Sequence, residues 1–123
     1  MNYLIGSIKH CDKLRINGWA QSALKYCNCK IVLLVLDQEI PKSLLELETL
    51  GIELIHSPTK DEVDTNICKW ERHFKAREFL KTLTQEDLVL LTDTVDVVFQ
   101  KDPFEWFLKN ATKDVILTSE GIE

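Results

Sequence analysis

The most informative segment of the chain is Asp87-Leu-Val-Leu-Leu-Thr-Asp93-Thr-Val-Asp96-Val-Val-Phe-Gln-Lys-Asp102-Pro103-Phe104. It opens with four consecutive apolar residues, 88–91, a pattern typical of a strand buried on both faces of a parallel sheet. Asp93 and Asp96 follow directly. Carboxylates that follow a buried strand lie at the edge where open α/β sheets bind ligands. Pro103 lacks the N–H that a sheet ladder needs and therefore ends the extended segment.

Strand-like and helix-like patterns alternate along the whole chain. The predicted strands are residues 3–8, 30–36, 52–56, 87–92 and 114–118. The predicted helices are residues 13–26, 41–50, 65–83 and 103–109. Asp12 and Asp102 are N-cap candidates, Pro41 suits a first helical turn, and Gly51 suits a helix end. Because this alternation is the signature of βαβ units, we predict an α/β fold: a mainly parallel, doubly wound, Rossmann-like sheet with helices on both faces.

The apolar positions of the first three predicted helices indicate the face that each one buries. Residues at roughly helical spacing are expected to point toward the sheet. In the first helix they are Leu14, Ile16, Trp19, Ala20, Ala23 and Leu24. In the second they are Leu44, Leu45, Leu47 and Leu50, and in the third Ile67, Trp70, Phe74, Phe79 and Leu80.

The composition is that of an ordinary globular domain. The 123 residues suffice for one domain with a core, 45 % are hydrophobic, and the net charge is −5. Without a Lys- or Arg-rich run to follow a phosphate backbone, a nucleic-acid partner is not expected. Apolar runs are too short for a membrane span, and the N-terminal residues do not resemble a signal peptide. We therefore expect a cytoplasmic protein without a transmembrane segment.

Four cysteines are present: Cys11, Cys27, Cys29 and Cys68. Nothing else in the sequence suggests secretion, so reduced thiols are expected rather than a disulfide framework. Cys27 and Cys29 stand too close together for a usual zinc motif, and no second Cys or His pair answers them.

The stretch Leu88-Val-Leu-Leu-Thr-Asp93, with Asp96 and the tail Val97-Val-Phe-Gln-Lys-Asp-Pro-Phe104, resembles the metal-binding signature of nucleotide-sugar glycosyltransferases of the GT-A type. That signature consists of an apolar strand, Asp-x-Asp, two or three apolar residues, and a polar turn with Asp-Pro-Phe. Here the two acids are three positions apart instead of two. Some glycosyltransferase-like families carry this Asp-x-x-Asp-Val-Val-Phe form, and the sequence looks closest to those.

The resemblance implies a metal-dependent transferase. Asp93 and Asp96 would share Mn²⁺ or Mg²⁺, which would bridge the diphosphate of a nucleotide-diphospho-sugar donor. The sugar would pass to a glycan, lipid or protein acceptor. The resemblance also implies that residues 1–123 are the nucleotide-sugar-binding domain, the N-terminal part of a longer glycosyltransferase. The other interpretation of the length is a complete small α/β domain.

Further donor-binding residues are expected at the same edge of the sheet. The resemblance implies that the loop after the first strand contacts the base and ribose, with Ser7 and Lys9 as candidates. Asp37 ends the second predicted strand and is a candidate acceptor for a base or ribose group. GT-A-type enzymes often carry a basic residue on the helix before the acidic strand, and Arg72 is the candidate here. Asp93 completes the predicted nucleotide site, and no catalytic base is evident.

Two other classes of function remain open. A non-catalytic small α/β binding or scaffold domain needs none of the chemistry above. A phosphatase of the haloacid dehalogenase type also uses paired aspartates at a strand end, but with the acids two apart and near the chain start. A receiver-like domain wants an acidic pair after its first strand, where this sequence has Ser7 and Ile8.

Overall fold

The computed structural model describes residues 1–60 and 65–115. Its strands are β1 (Asn2–Ile8), β2 (Lys30–Val35), β3 (Ile52–His56) and β4 (Leu88–Leu91). Its helices are α1 (Lys13–Tyr26), α2 (Leu45–Thr49), α3 (Thr65–Leu80) and α4 (Pro103–Asn110), and a 3₁₀ turn, Lys42–Leu44, leads into α2. The strands form one parallel sheet in the order β3-β2-β1-β4. The prediction of a Rossmann-like α/β fold is confirmed.

The elements agree with the prediction except at their ends. The third helix was predicted to continue to residue 83, and α3 ends at Leu80. The predicted fifth strand, residues 114–118, lies mostly outside the described residues.

Helices cover both faces of the sheet. One layer of buried side chains joins the sheet to α1, α2 and α4, and includes Leu4, Ile8, Ile16, Trp19, Ala20, Ala23, Leu33, Leu44, Leu47 and Phe104. The other joins the sheet to α3, and includes Ile5, Val32, Leu34, Leu36 and Ala76, with Phe79 and Leu80 packed against them. Because successive strand residues point to opposite faces, the neighbours Leu4 and Ile5 belong to different layers.

Two aromatic residues of α3 were wrongly predicted to be buried. Trp70 is 70 % exposed and Phe74 is 61 % exposed. The side of α3 that packs against the sheet carries Ala76 and Phe79 instead. With about 100° of rotation per helical residue, Trp70 and Phe74 lie on the opposite side of the helix. The apolar residues of α3 thus fall on two faces, and only one of them reaches the sheet.

Three leucines of the first two helices were also wrongly predicted to be buried: Leu14, Leu45 and Leu50 are exposed. Leu14 is two residues from the buried Ile16, which places it on the far side of α1. In the second helical segment, Leu44 and Leu47 share one face, and that face alone packs on the core.

Strand β4 is less buried than its apolar sequence suggests. Its first three residues are half-buried and Leu91 is exposed. We predicted burial on both faces. The difference arises because β4 is the last strand on its side of the described sheet, with β1 as its neighbour there.

The predicted helix ends are present. The Asp12 carboxylate accepts a hydrogen bond from the Arg15 N–H at 3.2 Å and so caps α1. Gly51 follows α2 with φ of +102°, a left-handed conformation that favours glycine.

Gly6 allows the segment after β4 to approach β1 closely. A Cβ atom at this position would overlap the Thr94 methyl group and lie 2.9 Å from the Trp19 ring. Thr94 and Trp19 are both buried. A side chain at position 6 would therefore push the segment after β4 away from the sheet.

We predict that Gly6→Ala lowers the free energy of unfolding by about 1–3 kcal/mol, the usual cost of overpacking a core. Urea denaturation followed by circular dichroism would measure it. Gly18→Ala is the matched control, because its Cβ would meet only the exposed Val98 side chain, at 3.3 Å, and because alanine favours a helix. A Gly6→Ala protein as stable as the wild type would contradict the packing described here.

Candidate functional site

A cleft of about 530 Å³ opens where the carboxyl ends of β1 and β4 face helix α3. The chain adds β2 and β3 on one side of β1 and then returns to add β4 on the other, so this is the topological switch point of the sheet. Open α/β sheets bind ligands at such points. The polar side chains that line the cleft are those of Ser7, Arg72, His73, Thr92 and Asp93.

The backbone on both sides of Asp93 is held by hydrogen bonds. The Thr92 N–H donates to the Ile5 carbonyl at 3.2 Å, and the Trp19 indole N–H donates to the Thr92 hydroxyl at 2.9 Å. On the other side, the Thr94 hydroxyl donates to the Ser7 carbonyl at 3.2 Å. These contacts fix where the Asp93 side chain leaves the sheet.

The Asp93 carboxylate faces a guanidinium group across the cleft. Arg72 Nη1 lies 2.9 Å from Asp93 Oδ1, and the two side chains are 35 % and 56 % exposed, respectively. Because the pair is half in solvent, it contributes at most about 1 kcal/mol to stability. Arg72 Nε is buried and has no hydrogen-bond partner among the described residues. A buried N–H without an acceptor calls for an explanation.

Asp96 lies apart from the cleft lining. Its side chain is exposed, and the described part of the chain holds no group of three or more His, Cys, Asp or Glu side chains that could bind a metal ion. The described residues therefore offer at most a weak site for a cation held by protein groups alone. One or two carboxylates do suit Mg²⁺ when ligand phosphates and water complete its coordination. If Asp93 and Asp96 hold a cation, they would need that shared arrangement.

The rest of the segment after β4 is attached to α1 and α4. The Phe99 N–H donates to the Ser22 hydroxyl at 2.9 Å, and Phe104 is buried. Asp102 caps α4 through its carboxylate, which accepts from the Phe104 N–H at 3.0 Å. Asp102 is thus the helix cap that the sequence predicted.

Lys9 and Asp37, two predicted donor-binding residues, join loops beside the cleft. The Lys9 ammonium donates to the Thr59 hydroxyl and to the Lys60 carbonyl, both at 2.7 Å. Asp37 Oδ1 accepts from the His10 N–H at 2.8 Å, whereas Asp37 Oδ2 is buried without a partner among the described residues. Neither side chain lines the cleft. Of the predicted residues, the structure gathers Ser7, Arg72 and Asp93 there.

Sequence reasoning missed several residues that build the site. Trp19 appeared only as a core residue, Gly6 and Thr92 were not singled out, and Thr94 was seen only as part of the turn after Asp93. The signal for the threonines was present in Thr92-Asp93-Thr94, since a hydroxyl on each side of an aspartate can anchor a turn. His73 follows Arg72 on α3 and also lines the cleft.

Cys27 and Cys29 lie between α1 and β2 and are half-buried. Burial raises the pKa of Cys27 to about 12, with contributions from the neighbouring Cys29 and Asp102. Burial also raises the pKa of Cys29 to about 11, and Asp102 contributes again. Both thiols are therefore protonated at neutral pH, which makes them poor nucleophiles and poor metal ligands.

We predict slow alkylation of Cys27 and Cys29 in the folded protein. The thiolate fraction falls about tenfold for each unit by which the pKa rises, so at pH 8 the iodoacetamide reaction should be about 1,000-fold slower at Cys27 and about 100-fold slower at Cys29 than in the urea-unfolded chain. Mass spectrometry of quenched, digested samples would measure each site. Equal rates in the folded and unfolded chains would show that the thiols are ordinary.

Residues 1–60 and 65–115 contain no helix that combines the length and the apolar character needed to cross a bilayer.

No protein-family model matches this sequence, and the comparison with curated proteins finds no significant similarity. The cleft itself is therefore the feature from which a function can be inferred. Its features are its position at the switch point, the Arg72–Asp93 pair, and the anchored backbone around Asp93.

Proposed function

We propose that this chain binds a nucleotide-diphospho-sugar donor in the cleft and forms the donor-binding part of a metal-dependent glycosyltransferase. The observation that carries the proposal is the Arg72–Asp93 pair at the switch point. A guanidinium and a carboxylate placed side by side offer one group for phosphate and one for a cation. A nucleotide diphosphate with a divalent cation presents the complementary charges.

Arg72 is the proposed diphosphate-binding residue. Its planar guanidinium carries several N–H donors in a fixed fork, which matches phosphate oxygens well. If the Arg72 side chain turns toward the ligand, its Nε, which is buried and lacks an acceptor among the described residues, would gain one. This support is independent of the sequence resemblance.

Asp93 and Asp96 are the proposed carboxylate ligands of Mn²⁺ or Mg²⁺, with phosphate oxygens and water as the remaining ligands. When bound, such a cation would supply the positive charge that stabilises a departing nucleoside diphosphate. Asp93 is held by its anchored backbone. Asp96 lies three residues further on an exposed turn and would have to approach the same cation.

Ser7 is the proposed contact for the nucleoside part, since it lines the cleft beside Asp93. Lys9 and Asp37 would act less directly. Their hydrogen bonds to Thr59 and His10 shape the loops next to the cleft. The acceptor, whether glycan, lipid or protein, would approach from the solvent-exposed side of the cleft.

Titration calorimetry with UDP-, GDP-, ADP- and CMP-sugars, with and without Mn²⁺, tests the proposal. We expect binding of at least one diphospho-sugar, stronger with Mn²⁺, and no binding of CMP-sugars, which carry a single phosphate. Arg72→Met should weaken binding about 10- to 100-fold, the usual effect of losing hydrogen bonds to a charged group. Asp93→Asn and Asp96→Asn should lose the increase in nucleotide-sugar affinity that Mn²⁺ produces in the wild type.

Arg77→Met is the matched control, because Arg77 lies on the same helix but is exposed and outside the cleft lining. It should leave the affinity unchanged. A wild-type protein that binds none of the nucleotide sugars would refute the proposal. Binding without sugar transfer or donor hydrolysis would favour a non-catalytic binding domain.

A further inference from the structure

We propose that Arg72 and Asp93 are an exchangeable pair that makes phosphate and divalent-cation binding cooperative. In the free chain the Arg72 guanidinium and the Asp93 carboxylate would be paired with each other. A phosphate ligand would draw Arg72 away, and the released Asp93 would then accept a cation. The inference rests on the proposed function, because it concerns the same cleft, and it adds how the two halves of the ligand are coupled.

The pair has the geometry of a contact that can open. Arg72 Nη1 and Asp93 Oδ1 are 2.9 Å apart, and both side chains are partly in solvent. The hydrogen bonds of Thr92 and Thr94 fix the backbone on both sides of Asp93. The pair would therefore open by movement of the long Arg72 side chain. Partly exposed ion pairs are weak, so a phosphate can displace this one.

The charges predict that either ligand alone binds weakly. A cation that approaches Asp93 meets the positive Arg72 and must compete with it for the carboxylate. A phosphate that approaches Arg72 meets the negative Asp93 in the same way. When both ligands arrive, two new ion pairs replace one. Each ligand must then raise the affinity for the other by the same factor.

Asp96 distinguishes this arrangement from a general effect of charge. It is exposed and forms no ion pair within the described residues. Its removal takes away one negative charge from the segment after β4 but does not free Arg72. Arg77 is the corresponding control for positive charge, because its removal takes away one positive charge but does not free Asp93.

Two single-ligand measurements test the exchange without mixing the ligands. The first is Mn²⁺ binding alone, followed by the electron paramagnetic resonance signal of the free ion. Arg72→Met should bind Mn²⁺ about fivefold or more tightly than the wild type, within the usual range of coupling between sites. Arg77→Met should match the wild type.

The second measurement is calorimetric titration with inorganic pyrophosphate in EDTA. Asp93→Asn should bind pyrophosphate about fivefold or more tightly than the wild type, because the Asp93 carboxylate no longer competes with pyrophosphate for Arg72. Asp96→Asn should show a smaller gain. This arm keeps the exchange testable even if Arg72→Met does not fold.

The outcomes separate the two proposals. Unchanged Mn²⁺ affinity in folded Arg72→Met, or unchanged pyrophosphate affinity in Asp93→Asn, would overturn the exchange while nucleotide-sugar binding still stood. Equal gains in the exchange variants and their controls would reduce the effect to general charge and also overturn it. Absence of any Mn²⁺ or pyrophosphate binding would overturn the exchange, and together with no nucleotide-sugar binding it would overturn both.

Discussion

The site depends on the close contact of Thr94 and Trp19 with Gly6. This contact brings the segment after β4 down onto β1 and α1. The Trp19–Thr92 and Thr94–Ser7 hydrogen bonds then fix the backbone on either side of Asp93. A strand end alone would leave Asp93 on a free turn. Because the turn is attached at both ends, the carboxylate has a defined position against Arg72.

The ligand edge of the sheet has two unlike halves. Beside β2 and β3, the polar groups form hydrogen bonds between neighbouring loops. Lys9 donates to the Thr59 hydroxyl, and the His10 N–H donates to Asp37. Between β1 and β4, the strand ends and α3 line a cleft that contains a charged pair. The polar groups of the first half serve to hold loops together. Those of the second half remain at a surface that a ligand can reach.

The fold could be predicted from the sequence because it depends on alternation, which single residues barely affect. The position of Asp93 was also predictable, since a carboxylate directly after an apolar strand must lie at the ligand edge. Lys9 and Asp37 were placed at the right edge, but their loop partners are distant in sequence. Trp70 was misassigned because periodicity indicates that a face is apolar and does not indicate whether another element covers it.

The strand order also has a consequence for how the chain folds. Strand β1 pairs with β2 early in the sequence, Tyr3 beside Lys30, whereas its pairing with β4 sets Tyr3 beside Val89. Contacts between residues far apart in sequence carry the larger loop-closure entropy and form slowly. We therefore expect the β1–β4 pairing, where the cleft lies, to form late in folding. By the same reasoning we expect the cleft to be among the first features lost when the sheet begins to open.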